Sequence, residues 1–336
     1  MLKVNRHLAY VSKITNLKEN LLRGLEFINW RSQVKKDSIV FIKPNFTFPY
    51  YKEGVTTNPE VLQNLLEIIK DRAEHVIVGE SDGGNHSFKA NEAFKGHNMY
   101  QICRKVGVDL VNLSRLPSAF VEEKIQGKKV KVQLPKLLLD NEVNCFISVP
   151  VLKVHVITKV SLGIKNLWGC YPDTMRGLFH KKLSYKLALI AKSLPPKLIV
   201  IDGTFALDGH GPMFGIAKPL DLLLLSNNLV VADSLGANIM GIPPKSVHHI
   251  FIAEKEGLGT TKLQQIKIND SLEHYRLQFH IRKTMIDMAS IPLFYSENLA
   301  KIVMDSPFKF LIYKLARFLR TSKEQELANE MRGYFL

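Results

Sequence analysis

Residue types suited to acid–base and anion chemistry recur in this sequence directly behind short apolar runs. Lys43-Pro44-Asn45 follows the first run, Glu80-Ser81-Asp82-Gly83-Gly84 the second, Lys153-Val154-His155 a later one and Asp202-Gly203 the next. In an open parallel sheet, ligands bind beyond the carboxyl ends of the strands, so groups placed there converge on one edge. Lys43, Lys153 and Lys165 are suited to hold a phosphate or carboxylate, with Asn45 and Asn166 beside them as hydrogen-bonding partners. Burial can lower the pKa of Lys153 or Lys165 far enough to make one of them a base. His155, His180, Glu80, Asp202 and Asp208 are the candidate proton carriers.

Two stretches concentrate these groups. From Lys153 to Cys170, cations and hydroxyls accompany Gly163 and Gly169, where backbone can approach a ligand closely, the composition of an anion cradle. From Asp202 to Gly215, four glycines among Asp202, Asp208 and His210 lead us to expect a loop that wraps the ligand, with Gly209 and Gly211 against it. Asp202, Asp208 and His210, or Glu80 and Asp82, carry donors that a divalent metal accepts. No fixed ligand spacing selects a metal, so the cofactor stays open. Taken singly, an Asn or Asp behind a strand also reads as a turn or a helix cap. Lys159 and the Lys181-Lys182 pair behind His180 also read as solvated surface. Convergence is what carries the functional reading.

The elements that must position these residues alternate. Residues 38–43, 75–80, 108–113, 144–149, 197–202 and 220–226 read as strands apolar on both faces, as buried parallel strands are. Amphipathic stretches at 16–30, 58–72 and 90–106 read as helices, the second opened by Asn58 as cap and Pro59 at the first helical position. Two alternating runs across 119–134 flank Gln126-Gly127-Lys128-Lys129 and read as a β-hairpin. The expected fold is α/β: a doubly wound, mainly parallel sheet with an inserted β-hairpin and a helical C-terminal extension. Residues 1–265 are expected to form the core domain and 266–336 the extension.

Composition narrows the classes. The 336 residues are 46% hydrophobic and 23% charged, which excludes a small disulfide scaffold and a disordered chain. Lys and Arg outnumber Asp and Glu to give +15, a field that attracts acidic partners. Cys103, Cys145 and Cys170 are too dispersed for a metal knuckle or a clustered iron–sulfur site, so a reduced, cytoplasmic chain is expected. The charged N-terminus lacks a signal-peptide core, and no apolar run reaches the ~18–20 residues of a membrane span. The phosphate-binding, dinucleotide and hydrolase glycine motifs are absent, as are zinc-finger and RNA-binding patterns, so nucleic acid ranks last among partners.

Several motifs occur together and in order: Ile42-Lys-Pro-Asn45, Pro150-Val-Leu-Lys-Val-His155, Gly163-Ile-Lys-Asn-Leu-Trp-Gly169, His180, Asp202-Gly203, Gly209-His-Gly-Pro212 with Gly215, and Ala232-Asp-Ser-Leu-Gly-Ala-Asn-Ile-Met-Gly241. Over roughly residues 38–260 the sequence thereby resembles the domain-of-unknown-function 362 family. The resemblance implies no particular reaction. Many relatives are associated with a ferredoxin-like iron–sulfur module, from which this chain departs, since three cysteines cannot supply a four-thiolate cluster. The family's acidic residue ahead of the Gly-x-Gly-Pro stretch corresponds to Asp208.

Between Pro307 and Arg320, Phe308, Leu311, Ile312, Leu315, Phe318 and Leu319 fall on one side of a helical projection, with Lys309, Lys314, Arg317 and Arg320 opposite. Such a helix suits an anionic membrane surface, and equally suits packing on the core or on a second copy in a homo-oligomer. The leading expectation is an enzyme that acts on a small anionic substrate by acid–base chemistry, as an isomerase or lyase rather than an oxidoreductase. The alternatives are a redox accessory protein associated with an iron–sulfur partner, and a peripheral module at the inner face of a membrane in a lipid or polysaccharide pathway.

Overall fold

The computed structural model describes residues 7–140, 142–290, 292, 296–305 and 307. Its first half alternates strand and helix: β1 (His7–Lys13), α1 (Leu17–Phe27), β2 (Ile39–Pro44), α2 (Pro59–Lys70), β3 (His75–Glu80), α3 (Ala90–Gly96), α4 (Met99–Val106) and β4 (Asp109–Asn112). The hairpin β5 (Ser118–Ile125) and β6 (Lys128–Pro135), with α5 (Lys136–Leu139), then interrupts. β7 (Cys145–Val149), β8 (Val151–His155), β9 (Lys159–Ser161), α6 (Gly163–Asn166) and α7 (Leu183–Ser193) follow. β10 (Leu198–Asp208), β11 (Ile216–Ser226), α8 (Leu229–Ile239) and α9 (His248–Lys255) complete the core, and β12 (Ile266–Ile268), α10 (Met285–Ser290) and α11 (Glu297–Asp305) come last.

Ten strands form one sheet in the order β12-β1-β11-β10-β7-β2-β3-β4, with β8 joined to the outer half of β10 and β9 paired to β8. From β10 to β4 every neighbour is parallel, and helices cover both faces, so the fold is a doubly wound, mainly parallel α/β sheet. The period of two sorts the side chains. Val40 and Ile42 of β2 and Val76 and Val78 of β3 pack against Leu21, Leu62 and Leu65 of α1 and α2. Phe41, Ile77 and Phe146 face the opposite layer, which contains α7, α8, α9 and the apolar side of the β5–β6 hairpin.

Local chemistry sets the helix ends. Asn16, Asn58 and Asn228 cap α1, α2 and α8 by accepting backbone N–H bonds, and Pro59 stands at the first position of α2. The single helix expected at 90–106 is two, because Asn98 takes a left-handed backbone at φ 58° between α3 and α4. The strand expected at 197–202 is longer. β10 runs through Asp208 and turns back into β11 as an antiparallel pair, with β1 antiparallel on the far side of β11. The stretch expected to be a loop is therefore strand for half its length, and only 209–215 forms the turn. Beyond residue 265, β12 pairs with β1 at the edge of the same sheet. The basic stretch proposed between Pro307 and Arg320 lies, from Phe308 onward, outside the described residues.

One fully buried carboxylate ties α8 to α6, the short helix that carries Lys165. Asp233 of α8 accepts the N–H of Gly163 at 2.7 Å and that of Ile164 at 3.0 Å, holding the first turn of α6. Burial pushes its pKa up to about 7 despite those two bonds. Asp233→Asn offers one acceptor oxygen instead of two, so the variant should lose roughly 1–3 kcal/mol in urea denaturation. Because the folded pKa lies above the ordinary ~4 of a carboxylate, protonation favours the fold. The stability of the wild type relative to the variant should decline as pH rises from about 4 to about 7. A pH-independent difference would contradict this.

Candidate functional site

β2 and β3 end side by side, and their terminal polar residues meet. Lys43 Nζ lies 2.5 Å from Glu80 Oε2, with the two side chains 1% and 6% exposed. A buried pair persists only when its remaining donors and acceptors are also met. Lys43 donates to the Pro44 carbonyl at 2.8 Å, and Glu80 accepts the N–H groups of Phe46 and Ser81 at 3.1 and 3.0 Å. Gly169 lies directly over the pair. A Cβ there would stand 2.7 Å from both Glu80 Oε1 and Lys43 Nζ, so only glycine allows this approach.

Lys153 enters from β8, fully buried, and donates to Asn45 Oδ1 at 3.2 Å and the Val55 carbonyl at 2.6 Å. Burial, with Lys165 and Lys43 nearby, holds its pKa well below the usual lysine range, against the pull of Glu80. Asn166 of α6 donates to the Lys43 carbonyl at 3.2 Å and to Ser148 Oγ at 3.1 Å, fixing the short helix to the sheet. One turn of α6 thus carries Lys165 inward.

Lys165 is half-buried and has no hydrogen-bond or ion-pair partner among the described residues. Burial and the Arg176 guanidinium bring its pKa down to about 8. Arg176 comes from a short turn, Arg176–Phe179, and donates to the Tyr171 carbonyl at 3.3 Å. His155 Nδ1 accepts the Ile157 N–H at 3.1 Å, which leaves the ring proton on Nε2. Burial, with Lys165 and Lys153 adding to it, keeps this imidazole neutral.

Together these groups line a cleft of about 120 Å3 at the carboxyl edge of the sheet. Lys43, Asn45, Glu80, Lys153, His155, Lys165 and Asn166, all named from the sequence, lie around it, joined by Trp168 and Arg176. Neither of the last two was singled out. Arg176 sits in an irregular stretch whose pattern carries no signal, whereas Trp168 lies inside the cradle sequence. His180 does not line the cleft. Its ring stands 5.8 Å from that of Trp168, Nδ1 donates to the Gly177 carbonyl at 2.7 Å, and burial, with Lys165 adding to it, depresses its pKa to about 3.

Four residues expected at the cleft lie elsewhere. Asp202 is buried inside β10, where it accepts the N–H of Asn58 at 2.7 Å and both the N–H and the hydroxyl of Thr204. It ties the sheet to the start of α2. Asp208 pairs with Lys218 at 2.5 Å and accepts the N–H groups of Gly209 and His280, which fastens the β10–β11 turn. Gly209, at φ +85°, bonds to residues 280 and 282. Gly211 lies against β8, where a Cβ would come within 1.9 Å of the Val154 carbonyl oxygen. The turn reaches the cleft through Pro212 instead. Among the described residues, no three His, Cys, Asp or Glu side chains converge as ligands for a metal ion.

Comparison with known proteins places this geometry in a family. The model of the family described as "Domain of unknown function (DUF362)" matches residues 40–238, more than half of the chain and every residue of the cleft. A thylakoid-associated protein of Synechocystis sp. is 25% identical over 237 residues, 68% of this chain and 71% of the relative. No solved structure matches the chain.

The ion pair generates a direct test. Glu80→Ala leaves the Lys43 ammonium buried without a counter-charge and should cost roughly 3–5 kcal/mol in urea denaturation. The double variant Lys43→Met/Glu80→Leu should lose clearly less than the two single losses combined. Additive losses would show that the two groups do not depend on each other.

Proposed function

Because the chain belongs to the DUF362 family, whose description assigns no reaction, we propose from the cleft itself that it binds a small phosphorylated or carboxylated molecule and moves a proton on it, as an isomerase or lyase does. One observation carries the reading. Four basic side chains, Lys43, Lys153, Lys165 and Arg176, line the cleft against a single carboxylate among the described residues, Glu80, with which Lys43 already pairs. Lys165 and Arg176 repel each other and have no carboxylate within ion-pair distance among the described residues, so a bound anion relieves both. The volume is small beside the ~300–1,000 Å3 of sites for drug-sized ligands, which favours a compact substrate.

The neighbouring groups suit proton transfer. His155 presents its Nε2 proton as a donor to a carbonyl or phosphoryl oxygen without carrying charge. Lys165, its pKa brought down to about 8 by burial and Arg176, exchanges its proton close to neutral pH. The +15 charge steers anions toward the protein.

The thylakoid association of the Synechocystis relative favours a second reading, in which this chemistry takes place at an anionic membrane surface with the basic stretch between Pro307 and Arg320 as the contact. Among the described residues, no helix is long and apolar enough to cross a membrane. On this reading the full chain sediments with phosphatidylglycerol vesicles, and a chain ending before Pro307 does not.

Inorganic phosphate tests the main reading. At a concentration ~100 times its dissociation constant it should add ~2.7 kcal/mol to stability. Arg176→Gln should weaken its binding roughly tenfold, ~1.4 kcal/mol. A protonated Lys165 attracts the anion, so affinity measured by calorimetry should fall as pH rises through about 8, where that charge is lost. Undiminished binding to Arg176→Gln, with no change across that pH range, would remove the anion from this cleft.

A further inference from the structure

We infer that the Lys165 amine is a nucleophile that forms an imine with the carbonyl carbon of a small oxo acid or phosphorylated aldehyde, whose anionic group is held by Arg176. The inference rests on the anion reading of the cleft and deepens it by naming the substrate class.

The argument starts from how the lysines are used. Lys43 is committed to Glu80 and the Pro44 carbonyl, and Lys153 to Asn45 and the Val55 carbonyl. Lys165, alone of the three, lines the cleft half-exposed and has no partner among the described residues. Arg176 supplies a permanent charge that still holds the anion, more weakly, when Lys165 gives up its proton. The groups facing the cleft from the packed elements are Lys43 and Glu80 at the ends of β2 and β3, Lys153 and His155 of β8, and Arg176. Of these only Glu80 is acidic, and Lys43 already pairs with it. His180 and His249, which act on these groups electrostatically, are both held neutral. Nothing in the cleft therefore favours the ammonium strongly, and burial beside Arg176 leaves a working fraction as free amine near neutral pH.

The chemistry closes without a further reactant. The Nζ lone pair adds to the carbonyl carbon as the C=O π pair moves to oxygen, assisted by the His155 Nε2 proton donor. A proton passes from nitrogen to that oxygen, giving a neutral carbinolamine. The nitrogen lone pair then forms the C=N bond as the hydroxyl takes up a proton from solvent and departs as water, so the imine keeps its nitrogen proton and is positively charged. The protonated imine withdraws electrons from the adjacent carbon and acidifies its C–H bond, the activation that an isomerase or lyase of such a substrate requires.

Reductive trapping tests this. The full chain is incubated separately with glyoxylate, pyruvate and glyceraldehyde 3-phosphate in the presence of sodium borohydride, and adducts are mapped by peptide mass spectrometry. With at least one probe, Lys165 should be labelled in preference to exposed lysines such as Lys159, and saturating inorganic phosphate should suppress that label roughly tenfold or more. Lys165→Arg keeps the charge, removes the nucleophile and should show surface labelling only. Absence of label at Lys165 with all three probes overturns the imine, as does unchanged labelling of the cleft in Lys165→Arg. Phosphate binding measured on the same preparations separates the two readings. Binding without a Lys165 adduct rejects the imine and leaves the anion site, and an adduct without phosphate binding does the reverse.

Discussion

The buried Lys43–Glu80 pair organises this edge of the sheet. Two parallel strands end at the same level, and the charges at their ends are removed from water, which is costly unless each is compensated. The compensation recruits the surroundings. Phe46 and Ser81 turn their N–H groups toward Glu80, the Lys43 carbonyl accepts from Asn166, and Gly169 closes over both side chains. The cradle around α6 is thus seated on the pair. With Glu80 paired there, Lys165 and Arg176 face the cleft without an ion-pair partner among the described residues.

Those cations have separate tasks, which their contacts distinguish. Lys153 braces the 45–55 segment through Asn45 and the Val55 carbonyl, and so forms part of the wall. Arg176 remains charged at every physiological pH, while burial, with Arg176 adding to it, brings the pKa of Lys165 down to about 8. On the proposed reading, a guanidinium and an amine facing one cleft are therefore different tools, one for holding charge and one for exchanging a proton. Asp233 contributes from behind by setting where α6 begins.

Much of this was legible in the sequence, for physical reasons that also mark its limits. Parallel strands buried on both faces read as continuous apolar runs, so their ends, and with them Lys43, Glu80, Lys153 and His155, could be located. Asn58-Pro59 announced the start of α2 by capping chemistry. The stretch from Asp202 to Asp208 misled because its polar residues serve backbone partners inside a strand, and a strand in which Gly203 shifts the register looks like a loop in composition. β1 was missed because its polar residues interrupt the apolar pattern, as an outer strand's can. Arg176 belongs to a turn whose position depends on packing between distant segments, which no local period encodes.

The first and last strands described here lie side by side, His7 against Ile266 and Ala9 against Ile268. Further along, the 277–282 segment bonds to Ile239 and Met240 at the end of α8 and to Gly209, which opens the turn bearing Pro212. The order of synthesis therefore runs against the order of assembly. While the chain emerges from a ribosome, β1 must wait for β11 and β12, and the Pro212 wall of the cleft is not fastened until the 277–282 segment has been made. Closure over such sequence separations is slow. Until it occurs, the turn bearing Pro212 lacks its bonds to the 277–282 segment, and the nascent protein has the residues of its site before it has the whole wall of the site.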